Sequence, residues 1–276
     1  MKNTNPNINI HILHCGSAKV DEALAYRESG LNPFAFTGIF RSSRHRISLP
    51  LSCYLIEHPK GLILVDTGWH PQVRTSPVKA LGVMQSMLSK VELPEGKAAV
   101  EQVSNLGYSP SDIDYLVLTH LHADHVSGLE TLSDAQRILV SDIELKAARS
   151  NPVVYTSRMW SGTRLETFSF RPSTFGPEQL AFDLFSDGSV LLISTPGHTS
   201  GLTSILVRSG ARFVLLCADV AYSQRSWKEM ILPGLTTSKS KAKRALAWIA
   251  KMSEDPACAG IYASHDGSIK EQLISF

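Results

Sequence analysis

The sequence holds no apolar run of about 18 residues, the length a helix needs to cross a bilayer. Met1 to Asn9 are polar and asparagine-rich, without the apolar core of a secretory signal, so the expected location is the cytoplasm. Cysteine is sparse. Cys15, Cys53, Cys217 and Cys258 stand far apart, in or beside apolar runs, which excludes a disulfide framework and a cysteine-built zinc site and reads as four reduced thiols. Basic runs are missing too: the loose group Lys239, Lys241, Lys243 and Arg244 has the spacing of a solvated helix face. With a net charge of +2, neither nucleic acid nor an anionic membrane is called for as a partner. There is no internal repeat and no low-complexity linker. What remains is a chain of 276 residues, 43% apolar and only 19% charged, able to bury a sizeable core. One domain over residues 1–276 is the expectation.

Hydropathy patterning predicts strands over residues 7–15, 51–57 and 62–66, the last two paired across the turn His58-Pro59-Lys60-Gly61. Residues 19–50 read as irregular. Val100, Val103 and Leu106 form one helical stripe that Gly107 can close in a left-handed conformation. A strand over 136–140 leads into a helix capped by Ser141 or Asp142. Further strands are expected over 182–185, 190–194, 203–207 and 213–217, then an amphipathic helix over 238–252 and a last strand over 260–263. This order suits an α/β fold, a four-layer αβ/βα sandwich in which each half contributes part of a site at its strand ends.

The densest chemistry lies in Thr119-His120-Leu121-His122-Ala123-Asp124-His125, directly after the apolar stretch 113–118. Side chains two apart at a strand end point to the same side, so His120 and His122 can meet on one ion. If a helix begins near Val126, Asp124 and His125 project toward a second. Imidazoles with a carboxylate form a borderline, zinc-like ligand set. A two-ion site needs about six to seven protein ligands. Three other strand ends carry candidates: His198 in Pro196-Gly197-His198, Asp219 after residues 213–217, and His265 in Ser264-His265-Asp266. Taken singly, each is equally a turn histidine, a capping carboxylate or a loop histidine. Their joint order makes them ligand candidates.

With these residues in place the chain resembles the metallo-β-lactamase-fold hydrolases, from about Leu51 to the C-terminus and including Asp66-Thr67-Gly68. The resemblance implies one ion held by His120, His122 and His198, another by Asp124, His125 and His265, and Asp219 bridging the two. It further implies two Zn²⁺ per chain, and Asp66 behind the ligand loop orienting a histidine. The fold alone does not choose a substrate. Asp219 is similar to the bridging carboxylate of the lactonase, thioesterase and nuclease branches, which the familiar β-lactamase branches lack. Tyr222, three residues on, resembles the N-acyl-homoserine lactonases, in which the matching hydroxyl reaches the substrate carbonyl; by itself it would read as a packing tyrosine. Residues 54–61 are similar to the early strands of the same lactonases.

The activity this implies is hydroxide attack, from a water between two ions, on the lactone ring of an N-acyl-homoserine lactone, with Tyr222 on the oxyanion and Asp124 as proton carrier. Such an enzyme acts in quorum quenching. The alternatives are a lactonase or esterase for another small ester, such as a pyridoxolactone-like compound, a thioesterase, or a metal-binding module without turnover. Aromatic residues within 34–40 and 155–160, with Trp69 and His70, are candidates for an apolar mouth. His11, His14, His45 and His58 read as structural or surface histidines. A small-molecule lactone is the expected partner, and a homodimer is open from the resemblance alone.

Overall fold

The computed structural model describes residues 8–275 except 29, 31 and 33; Asn7, with which the first expected strand opens, lies outside the described residues, as does Pro33. The chain runs β1 (Asn9–Asp21), α1 (Glu22–Ala25), β2 (Arg46–His58), β3 (Gly61–Val65), α2 (Pro77–Leu81), α3 (Val83–Leu88), β4 (Lys90–Glu92), α4 (Ala99–Asn105) and β5 (Tyr115–Val117). It continues through α5 (Ala123–Val126), β6 (Arg137–Ser141), α6 (Asp142–Ser150), β7 (Leu165–Phe168), β8 (Arg171–Pro172), β9 (Leu180–Asp183) and β10 (Val190–Ser194). Then follow β11 (Thr203–Ser209), β12 (Arg212–Ala218), α7 (Gln224–Lys228), α8 (Lys239–Ser253), β13 (Cys258–Ala263) and β14 (Leu273–Ser275). Two sheets result. One is ordered β14-β1-β2-β3-β5-β6-β7, with β4 beside β1; the other is β13-β12-β11-β10-β9-β8.

Period-two patterning explains why these sheets stack. On β2, Tyr54 and Ile56 face the second sheet and join Ile63, Val117, Val190, Leu192, Ile205 and Val214 in a core between the sheets. Their neighbours Cys53 and Leu55 face outward, against Val103 of α4 and Leu145 of α6. On the second sheet Leu191, Leu206 and Leu215 face outward against Ala245, Leu246 and Ile249 of α8. Helix, sheet, sheet, helix is the four-layer sandwich that the pattern predicted.

Direction matters more for function. β3, β5, β6 and β7 are mutually parallel, so Asp66, the 119–125 run and Ser141 all leave the first sheet at one edge. In the second sheet β10 and β12 both pair antiparallel to β11, and β12 is parallel to β13. The segments carrying His198, Asp219 and His265 therefore emerge together. Carboxyl ends of strands from both sheets share one rim.

Several expectations need correction. Residues 19–50 are not wholly irregular, because β1 runs on to Asp21 and β2 starts at Arg46, paired from Ser17↔Pro50 to Asp21↔Arg46. A register shift between His14 and Ser17, at Gly16 with φ 85°, and the proline inside β2 hide both extensions from a periodicity reading. A strand follows residues 260–263: β14 returns to pair with β1 in the first sheet. The helix after the histidine run begins at Ala123 rather than Val126, so Asp124 and His125 project from its first turn. Ser141, not Asp142, caps α6, its hydroxyl accepting from Glu144 N–H. Cys15, Cys53, Cys217 and Cys258 are free thiols. Among the described residues no helix is long and apolar enough to cross a membrane.

Candidate metal centre

The 119–125 run takes its shape from Asp66-Thr67-Gly68. Asp66 sits in a left-handed conformation, φ 61°, at the end of β3, and is 1% exposed. Its carboxylate accepts from Thr119 N–H at 2.8 Å and Thr119 Oγ1 at 2.9 Å, and meets His125 Nδ1 at 2.7 Å. The Thr67 N–H and hydroxyl both donate to His125 O, and Gly128 N–H donates to Gly68 O. A Cβ on Gly128 would lie 2.4 Å from Thr67 O, so only glycine permits this approach. Asp66 thus holds the histidine loop and one of its rings, as expected of it.

The other donors are set with equal care. His198 Nδ1 lies 3.0 Å from Leu235 O and His265 Nδ1 lies 2.8 Å from Pro50 O. Each contact fixes the tautomer and turns Nε2 inward. Ser52 N–H donates to Ser264 O at 2.8 Å, tying β2 of one sheet to the segment that presents His265 from the other. Asp219 follows Ala218, whose φ is 47°, and its carboxylate lies between three rings. Oδ1 is 3.2 Å from His125 Nε2, and Oδ2 is 3.5 Å from His198 Nε2 and 3.3 Å from His265 Nε2. Asp124 Oδ2 lies 3.5 Å from His125 Nε2 and 3.3 Å from His265 Nε2.

All seven expected donors therefore come together, in triads His120/His122/His198, His120/His125/Asp219 and Asp124/His125/His265. In the first, His122 Nδ1 is 3.1 Å from His120 Nε2 and 3.0 Å from His198 Nε2. Nitrogens bound at about 2.0–2.1 Å to one tetrahedral ion stand about 3.3 Å apart. In the others, His125 Nε2, His265 Nε2 and Asp219 Oδ1 are buried without a hydrogen-bond partner, a costly state that a cation relieves. The donor set fits two metal ions. The half-buried group Glu22, Glu28 and His45 also lies close together, but Arg41 already pairs with Glu28 and Asp21 there.

Electrostatics separate the rings. Burial drives His122 and His198 down to about 4. Burial also opposes charge on His265, yet Asp219 and Asp124 push it up to about 10. Burial would raise Asp124, but the charges of His125 and His265 hold it near 2. Tyr222 is 4% exposed and stacks on His265, with centroids 4.8 Å apart at 17°. Burial, then Asp219 and Asp124, hold its hydroxyl protonated well above its ordinary range.

These groups form the floor of a cavity of about 330 Å³ whose walls include Val20, Leu24, Phe36, Leu49, Trp69 and Val154. Of the aromatics expected at a mouth, Phe36 and Trp69 line it. Phe34 and Phe40 stand out at 67% and 105% exposure, while Tyr155 and Trp160 are core residues. His70 caps a turn, its Nδ1 accepting from Gln72 N–H, and lies outside the lining. His11 and His45 pair with Glu57 and Glu22, His14 meets Ser52, and His58 stacks on Phe185. Glu144 went unnoticed in the sequence. It is fully buried beneath the ligand loops, and its position between Ile143 and Leu145 was its sole sequence signal.

Comparison with known proteins follows the same line. The sequence pattern of the metallo-beta-lactamase superfamily matches residues 48–260. An N-acyl homoserine lactonase AttM of Rhizobium johnstonii is 30% identical over 225 residues, covering 79% of this chain and 82% of that protein. A solved N-acyl homoserine lactone hydrolase, with the product N-hexanoyl-L-homoserine at its catalytic metal center, matches with TM-score 0.76 and 21% identity over 96% of this chain and 98% of its own. AidC, a dizinc quorum-quenching lactonase, matches with TM-score 0.65 and 19% identity over 94% of this chain and 88% of its own. At these structural identities the likeness speaks for the fold.

Proposed function

Since this chain belongs to the metallo-beta-lactamase superfamily, we propose that it is a dinuclear zinc hydrolase, one domain over residues 1–276, that opens the lactone ring of N-acyl-homoserine lactones. The observation that carries this is the seven-donor cluster, five of whose members (His122, Asp124, His198, Asp219 and His265) join Tyr222 on the floor of a cavity with apolar walls. His120, His122 and His198 would hold one ion, Asp124, His125 and His265 the other, and Asp219 would touch both. Two ions held there supply hydroxide near neutral pH and polarise a carbonyl. The remaining work falls to the chain itself. Tyr222 keeps its proton at neutral pH and so can donate to the oxyanion that develops on the lactone carbonyl. Asp124, ionised at rest, would take the proton of the attacking hydroxide and pass it to the departing alkoxide as the acyl C–O bond breaks, giving a carboxylate and a free hydroxyl. Val20, Leu24, Leu49 and Phe36 offer the acyl chain an apolar wall and exclude water.

Imidazole and carboxylate donors support zinc as the ion, buried free thiols support a reducing cytoplasm, and the family likeness supports a homodimer. Lactone opening would silence acyl-homoserine signals, the reaction of quorum quenching. Another small ester, such as a pyridoxolactone-like compound, is served by the same donors but leaves the apolar wall unfilled. A thioesterase or a metal-binding module without turnover makes still less use of Tyr222 and the cavity.

The decisive measurement is a pH-indicator assay over homoserine lactones of graded acyl length, with γ-lactones, a thioester and a β-lactam alongside, on protein analysed for metal. Two ions per chain and turnover of acyl-homoserine lactones are expected. Hydrolysis of the β-lactam alone would overturn the reading, as would one ion or none. Tyr222→Phe should lower kcat by about 10²-fold with metal content unchanged. An unaltered kcat would leave Tyr222 a packing residue.

A further inference from the structure

Glu144 is fully buried, yet neither ligand chemistry nor core packing explains a carboxylate at its position. It is the third residue of α6, where a glutamate ordinarily reaches back to its own capping residue's N–H. Here it turns to the two loops that carry the three-histidine triad. Oε1 accepts from Leu121 N–H at 3.2 Å, between His120 and His122. Oε2 accepts from Gly201 N–H at 2.9 Å, three residues past His198. The first loop leaves one sheet and the second leaves the other, so one carboxylate bridges the sandwich beneath the site. Ser141, which caps α6, joins the same clasp: its hydroxyl donates to Gly201 O at 2.9 Å and accepts from Glu144 N–H at 3.1 Å. A Cβ on Gly201 would come within 2.3 Å of Glu144 N, so the second loop is drawn hard against the helix. Tyr155, whose ring lies 5.3 Å from that of His122, is held protonated by burial and then by the Glu144 charge.

We propose that Glu144 is a positioning residue for the three-histidine ion site, fixing the separation of the His120/His122 loop from the His198 loop. The inference rests on the two-ion reading of the centre and is independent of the substrate. Asp124, His125 and His265 lie outside the clasp, because Asp66 and Pro50 O secure those histidines. The two ion sites should therefore respond differently when Glu144 is changed. Glu144→Gln keeps the shape but sets an NH₂ group against one of two N–H donors, releasing one loop.

The test is chelator competition on the whole protein, with Co²⁺ absorption as a second readout, for wild type, Glu144→Gln and Ser141→Ala. Val103→Ala, a core truncation in α4, which carries none of the donors, is the control for general loss of stability. We expect wild type to hold two ions. In Glu144→Gln one of them should bind about 10–100-fold more weakly, with a changed Co²⁺ spectrum, and the other as before. If that variant does not fold, Ser141→Ala carries the test and should weaken the same ion by a smaller factor. Unchanged affinities, or equal weakening of both ions matched by Val103→Ala, would make Glu144 merely structural and overturn the proposal while leaving the two-ion reading intact. Fewer than two ions in wild type would overturn both.

Discussion

Five imidazoles share one buried site, and their surroundings drive their protonation apart. His122 and His198 are buried beside other rings and fall to about 4, whereas His265, between Asp124 and Asp219, rises to about 10. Both directions depart from an ordinary value of 6.5, so each ring stabilises the fold in its own pH window. For His122 and His198 the unfolded chain takes up protons first. Their contribution is present above 6.5 and lost as pH falls toward 4. For His265 the folded chain binds the proton more tightly. Its contribution is present below 6.5 and lost as pH rises through 10. Metal-free protein should therefore show its highest denaturation midpoint near pH 6.5, with a decline on both sides. Bound ions require neutral imidazoles and release these protons, so loading should flatten the alkaline limb. A chelated protein with the same midpoint from pH 6.5 to 10 would contradict the assignment of His265.

At the scale of elements, glycines and left-handed residues decide how closely strand ends approach one another. Gly197 has φ 147°, and a Cβ there would fall 2.4 Å from the N and Cα of Ala242, so the His198 turn is packed directly on α8. Gly197→Ala should push helix and turn apart, costing about 1–3 kcal/mol and weakening retention of the ion assigned to His198. Denaturant midpoints and metal content would check both; a stable variant with full metal would show that the helix accommodates the methyl group. The same scale shows where periodicity was informative. β10 to β12 were legible as short continuous apolar runs buried on both faces, and α8 because it buries one regular face. The long ends of β1 and β2 were not, because the irregularity at Gly16 and Pro50 within the ladder broke the pattern. β14 was too short and too exposed to show, with Leu273 at 54% exposure.

At the scale of the whole molecule, two sheets carry a divided site, and contacts between them set its dimensions. β14 covers the edge of β1 at its Asn9 end, while Ala18 and Val20, near its other end, line the cavity. Deleting residues 272–276 removes three paired positions and the acceptor Gln272 O of Ile12 N–H. This should cost about 1–2 kcal/mol and lower Tm by roughly 2–6 °C without loss of metal. Metal loss in that variant would mean that the site depends on the far edge of the sheet. By itself the sequence determined the alternation that makes two sheets and the seven donor candidates, because donor types and strand ends are local properties of the chain; Tyr222 stood out only through the resemblance to the lactonases. The tertiary structure alone decided which donors meet, how burial and charge divide five histidines, and that Glu144 spans both loops. Those facts arise from approaches between residues as far apart as Asp66 and His125 or Pro50 and His265, for which no local pattern exists.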